Sequence, residues 1–249
     1  MVHATILARQ RNADHRKMAS QLTAMNLIYA ILGGFIPALF WLWFWLREDK
    51  KRPEPRGMLV WTFVGGMLAV PAAMALEYAA AIYIPLGGFS IILIWAFIEE
   101  ILKYLAARKT GFARASFDEP IDALIYMITA ALGFASVENT LFIVKPLIDG
   151  NLIGGIDIGG MRFIGATLLH TASSAIVGAS IAFSFWRGAW SKGAVLRGII
   201  IAGILHFLFN YFIITSGGGG ILNVLIPLWI LIIIIIFIFE KIKRVKQQS

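Results

Sequence analysis

Residues 221–239 read ILNVLIPLWILIIIIIFIF, nineteen positions without a charged side chain. A helix rises about 1.5 Å per residue and the hydrocarbon core of a bilayer is about 30 Å thick, so such a run is a membrane-spanning helix. Six earlier runs, 24–46, 58–84, 89–107, 120–145, 161–186 and 195–215, are also long and apolar enough to span. The composition agrees. The 249 residues are 59% hydrophobic and 14% charged, with a mean hydropathy of +0.80. A soluble domain carries about 25% charge, so this chain lacks the polar surface to cover a water-soluble globule. The expected fold is all-α, a polytopic membrane bundle of about seven transmembrane helices.

The connectors carry turn chemistry and charge. REDKKRPEPRG (47–57) follows the first span, IPLGG (84–88) the second, and SFDEP (116–120) precedes the fourth. Asp118, Glu119 and Pro120 form a helix start, with acids before the first turn and proline at its entry. DGNLIGGIDIGG (149–160) and SGGGG (216–220) read as glycine-rich connectors, the former as a flexible loop or a mobile gate. The division into parts is an N-terminal tail 1–23, a membrane domain 24–240 and a basic tail 241–249.

Lys and Arg gather in 47–57, 108–114, 187–197 and 241–246, and with seven spans all four groups fall on one side. The net charge of +8 is therefore topological and does not signal nucleic acid. The positive-inside rule places the C-terminus in the cytoplasm and the N-terminus outside, against the basic residues Arg9, Arg11, Arg16 and Lys17 near the N-terminus. Trp41, Trp43, Trp45, Trp186 and Trp190 are expected at the inner boundary as interfacial anchors. The absence of cysteine excludes a disulfide framework and thiolate chemistry.

Four polar clusters interrupt the spans. A carboxylate at the centre of a spanning helix costs about 2.5–3.5 kcal/mol, so each raises a functional hypothesis. In EEILK, Lys103 lies one turn beyond both Glu99 and Glu100 and can pair with either. A single Glu–Lys pair would read as a snorkelling lysine holding a buried acid; the second, adjacent carboxylate is harder to explain that way. FASVEN places Phe134 one turn before Glu138, with Asn139 next. HTASSA pairs His170 with Ser174, and HFLFN pairs His206 with Asn210, both at i, i+4. Counted along their helices, Glu99, Glu138, His170 and His206 fall about 10–15 Å below the expected outer boundary, in one layer. Independent helix-gluing contacts have no reason to share a depth.

Such a layer suits hydrolysis. A buried carboxylate beside a like charge can serve as general base on water, and imidazole and amide donors can stabilise an oxyanion. Glu99, Glu138, His170 and His206 also form a donor set for a divalent metal. HExxH and GxSxG are absent, and Ser174 with His170 on one helix lacks the converging third group of a triad. Proton or cation transport and a non-catalytic scaffold are the alternatives. The interrupted half-helices in matching repeats that transport would favour are not evident.

The order EExxK, FxxxEN, HxxxS, HxxxN resembles the PrsW family of intramembrane proteases, which is similar to the larger CAAX-processing and bacteriocin-processing group. The charged connector ending in Pro-Glu-Pro, residues 53–55, extends the resemblance, which runs from about residue 26 to 215. The resemblance implies proteolysis of a membrane-anchored protein of the anti-sigma-factor kind within the bilayer. It implies Glu99 as general base, Glu100 and Lys103 as its positioning neighbours, and His206 with Asn210 facing the oxyanion. Glu138 stands where the wider group has histidine. That substitution leaves open whether Glu138 holds the attacking water and adds a carboxylate for a metal. No cofactor is favoured from these residues, with zinc as the alternative.

Overall fold

A computed structural model of the chain describes residues 2–49, 52–84, 87–187, 192–216 and 222–244, of which 2–23, 187, 192 and 216 are described as backbone only. Among these residues the elements are helical: α1 (Val2–Leu46), α2 (Arg56–Tyr83), α3 (Gly88–Ala107), α4 (Asp122–Ile148), α5 (Leu152–Met161), α6 (Thr167–Ala182), α7 (Lys192–Ser216) and α8 (Leu222–Ile242). In lipid every backbone polar group must be paired within its own segment, which leaves helices as the natural state of such apolar runs. The connector glycines 217–220 and Trp190 lie outside the described residues.

Among the described residues six stretches are long and apolar enough to cross a membrane: α1 from Ala24, α2, α4, Leu152–Ala182, α7 and α8. The seventh expected span, α3, has the length but carries Glu99, Glu100 and Lys103. All three are buried, so the charges that spoil its apolar composition point into the bundle. Outward-facing positions are apolar instead: Leu68 is 68% exposed and Phe237 69%. An exposed surface of this kind is what lipid contact requires.

Helix α4 is the hub. Two thirds of its apolar stretch, 67%, is buried, against 28–33% for the other five. Small residues let its neighbours come close, as membrane interfaces require when lipid and side chains are equally apolar. At the α2–α4 crossing, a Cβ on Gly66 would run into the Ala130 carbonyl, and one on Gly133 into the Phe63 carbonyl. Gly133→Leu should therefore separate α2 from α4. The expected outcome is aggregated protein on size exclusion and no cooperative thermal transition, where an exposed swap such as Leu68→Ile leaves both unchanged.

Three expectations need correcting. The glycine-rich stretch 149–160 is not a loop: from Leu152 it is α5, which continues through a π-turn, Arg162–Ala166, into α6. Asn151 Oδ1 accepts the Gly154 N–H at 2.9 Å as an N-cap, and Gly155 packs on Leu147. The demand for internal backbone pairing in an apolar setting overrides the low helix propensity of glycine. Trp41 and Trp45 are not interfacial anchors. Trp45 is fully buried and stacks on Phe239 at 5.3 Å, and Trp41 packs among Phe44, Phe163 and Trp229. Trp43 and Trp186 remain exposed. Lastly, α4 begins at Asp122, whose Oδ2 accepts the N–H groups of Asp118 and Glu119 at 2.9 and 2.8 Å, so Pro120 lies in the preceding turn.

The charged connectors meet at one end of the bundle. Arg52 pairs with Asp118 at 2.7 Å, Lys243 pairs with Glu48 at 2.7 Å, and Lys241 lies 5.7 Å from the ring of Phe183.

Candidate active site

Four helices bring the motif residues together inside the bundle. Glu99, Glu100 and Lys103 come from α3, Phe134, Glu138 and Asn139 from α4, His170, Ser173 and Ser174 from α6, and His206 from α7. Helical periodicity is what aligns the pairs: positions three and four apart share a face, so α3, α4 and α6 each deliver more than one side chain to one place.

The two adjacent glutamates have different surroundings. Glu100 is fully buried and its carboxylate is saturated. Its Oε1 accepts from Lys103 Nζ at 2.8 Å, Ser173 Oγ at 2.9 Å and His206 Nδ1 at 2.8 Å, and its Oε2 accepts from Ser174 Oγ at 3.1 Å. Glu99 is 7% exposed, and its buried Oε2 has no hydrogen-bond partner among the described residues. Around that oxygen lie Lys103 Nζ at 3.3 Å, His206 Nε2 at 3.7 Å and His170 Nδ1 at 3.8 Å.

The partners assign the imidazole tautomers. A carboxylate only accepts, so the nitrogen that faces it must carry the proton. As a neutral imidazole, His206 donates Nδ1–H to Glu100, which leaves the Nε2 lone pair on the side of Glu99, 3.7 Å away. His170 donates Nε2–H to Glu138 at 2.7 Å, and its Nδ1 lone pair accepts from Lys103 at 2.7 Å. The rings meet edge to face with centroids 5.1 Å apart. Lys103 itself lies 4.6 Å from the ring centroid of Phe134, which closes the cluster on one side.

Three donor atoms, one each from Glu99, His170 and His206, therefore lie within 4.8 Å of one another, all buried. The set fits zinc on chemical grounds. Two imidazoles and one carboxylate are the protein ligands of a catalytic zinc with an open position. Each imidazole has its other nitrogen bound to a carboxylate, the arrangement that orients metal-binding histidines. The orphaned Glu99 oxygen supplies the third ligand. Lys103 competes with an ion for the His170 lone pair. Glu138, expected as a fourth ligand, instead engages the far nitrogen of His170 and the Arg162 guanidinium.

Other motif residues serve as supports. Asn139 donates to Thr167 Oγ1 at 2.9 Å and accepts from Arg162 Nε. Ser174 is spent on Glu100, which removes it as a nucleophile for His170. Asn210, one turn beyond His206, is half-buried and has no hydrogen bond among the described residues.

Two charges that the motifs did not contain also belong here. Arg162 sits on the π-turn before α6, where the widened turn aims it at Glu138 and Asn139. Glu77 on α2 is half-buried and lies within electrostatic reach of Glu99, Glu138 and Lys103. Both are ionisable residues in apolar runs, so the criterion that picked out the other four clusters applied to them equally.

Known proteins are similar over most of the chain. A family model described as PrsW family intramembrane metalloprotease matches residues 54–239. Three relatives, each named Protease PrsW, are similar at low identity. That of Shouchella clausii is 24% identical over 213 residues, which is 83% of this chain and 95% of the relative. That of Oceanobacillus iheyensis is 24% identical over 228 residues, 90% and 99% respectively. That of Bacillus subtilis is 25% identical over 197 residues, 76% and 84%. No solved structure matches the chain.

Proposed function

The chain belongs to the PrsW family of intramembrane metalloproteases and is a multi-pass membrane protease, and from that premise we propose that Glu99, His170 and His206 hold the water that attacks the scissile peptide bond. The observation that carries this reading is the buried Glu99 Oε2, without a hydrogen bond among the described residues, grouped with one nitrogen each of His170 and His206. Zinc bound by these three residues would acidify the water and polarise the substrate carbonyl. This departs from the metal-independent mechanism that the motifs alone favoured.

The chain's own groups do the positioning. Glu100 fixes the tautomer of His206 and anchors Lys103, while Glu138 fixes that of His170 and anchors Arg162. In this tautomer His206 is an acceptor at Nε2 and not a donor to an oxyanion. The Asn210 amide, one turn away and without a side-chain hydrogen bond among the described residues, is the better-suited donor. Burial excludes bulk water, so every charge in the cluster acts more strongly than it would in solvent. The substrate is a single-pass membrane protein, of the anti-sigma-factor class that the motif resemblance suggests. The basic end of the bundle lies in the cytoplasm, and the N-terminus outside. The division into a tail 1–23, a membrane domain 24–240 and a basic tail 241–249 is retained as part of this proposal.

Metal analysis tests the reading. Purified active protein should hold about one zinc per chain, lose cleavage on chelation and regain it with zinc. His206→Ala should lose both metal and cleavage. Full activity in protein free of metal would overturn the zinc-dependent mechanism.

A further inference from the structure

We infer that Asp49, Glu54 and Asp122 form a divalent-cation site of the calcium class at the basic end of the bundle, tying the connector after α1 to the start of α4. The three carboxylates are 4%, 7% and 0% exposed, and one oxygen from each lies within 4.8 Å of the others. Asp49 ends the 3-10 turn after α1, Glu54 stands between Pro53 and Pro55, and Asp122 opens α4. The fold thus gathers acids from two segments into one buried place.

The hydrogen bonds leave this cluster short of positive charge. Asp122 Oδ2 accepts two backbone N–H groups, which fix the carboxyl, while its buried Oδ1 meets no hydrogen-bond donor among the described residues. The Tyr126 hydroxyl donates to Glu54, and the Glu54 N–H reaches Asp49 Oδ2 at 3.3 Å. Two cations of the described residues nearby are engaged elsewhere: Arg52 on Asp118 at 2.7 Å and Glu119 at 3.9 Å, and Lys243 on Glu48 and Glu240, both at 2.7 Å. Among the described residues no Lys or Arg closes an ion pair on any of the three acids. Buried carboxylates this close repel one another unless a cation or protons stand among them.

The donor set selects the ion. It is all oxygen, which suits hard cations and not zinc. Calcium takes about six to eight oxygen ligands in a flexible geometry, which suits a buried set of three carboxylates held by two separate segments. Magnesium demands a near-ideal octahedron and keeps several of its waters, which a dry, buried carboxylate set serves less well. The site is separate from the proteolytic cluster: Asp122 and Glu138 lie about 24 Å apart along α4. The inference does not rest on the proteolytic reading.

Terbium, a calcium mimic, tests it in the purified full-length chain in detergent. Excitation of the aromatic side chains should produce saturable sensitised emission at about one ion per chain, because Tyr126 contacts a ligand residue. Calcium should displace terbium at a concentration at least about tenfold below that of magnesium. Asp49→Asn and Glu54→Gln should each weaken terbium binding at least about tenfold, whereas Glu99→Gln should retain it. Calcium should also raise the Tm of Glu99→Gln, a measurement that does not require the connector variants to fold. Emission that is lost in Glu99→Gln, or survives both connector variants, would overturn the site. So would the absence of both saturable emission and a calcium-dependent Tm.

Discussion

Glu99→Gln is expected to lower peptide cleavage by at least about 10³-fold and to leave the folded bundle intact. The substitution keeps the shape of the side chain but replaces a charged oxygen with an amide. That amide can neither ligate a metal as a carboxylate does nor take a proton from water. Its structural cost is small, because the Glu99 Oε2 makes no hydrogen bond that would be lost. The 3.3 Å approach to Lys103 is given up, and repulsion from the adjacent Glu100 is relieved with it. The check is cleavage of a membrane-anchored substrate in liposomes, beside a thermal melt of the same preparation. Activity within tenfold of the parent would remove Glu99 from the chemistry. The inactive, folded variant is also the reagent for trapping the substrate.

Glu100→Ala should fail differently. It should lose activity because the bundle loosens, with a stability loss of about 3–5 kcal/mol from breaking a buried, hydrogen-bonded charge network. Against a total stability of about 5–15 kcal/mol, that loss is large enough to impair folding. The reason is on the surrounding helices: Lys103, Ser173, Ser174 and His206 all donate to this one carboxylate, joining α3 to α6 and α7. Removing it leaves a lysine buried with its main partner gone. The readout is the melting temperature together with size exclusion, where Glu100→Ala should show a drop that Glu99→Gln does not. A Glu100→Ala chain as stable as its parent, and as poor in activity as Glu99→Gln, would show that the two glutamates share one role.

These paired outcomes bear on what a sequence can show about neighbouring residues. Glu99 and Glu100 have the same chemistry and adjacent positions, and periodicity assigns both to a helix with Lys103 one turn on. Only packing distinguishes them. Consecutive residues on a helix point about 100° apart, so Glu100 meets the serines of α6 while Glu99 faces the gap between two histidines. Arg162 and Glu77 show the complementary omission. Both were ionisable residues in apolar runs, but neither belonged to a paired motif, and the acid that Arg162 pairs with, Glu138, is 24 residues away in sequence. Glycine misled in the same way. At 152–161 its propensity argues for a loop, but the apolar surroundings compel a helix.

The sequence by itself determined the environment and the material class of this protein. Hydropathy over whole spans measures transfer into lipid, which is nearly additive along the chain, so seven helices and their charged connectors follow without knowledge of contacts. Motif spacing likewise determined which side chains share a helical face. The tertiary structure decided which faces meet. It made Trp45 a core residue, gave His206 a lone pair where a donor was expected, and joined the acids of two distant segments at Asp122. Those outcomes depend on hydrogen bonds and close approaches between helices. Such interactions act over a few ångströms between residues remote in sequence, and no local pattern records them.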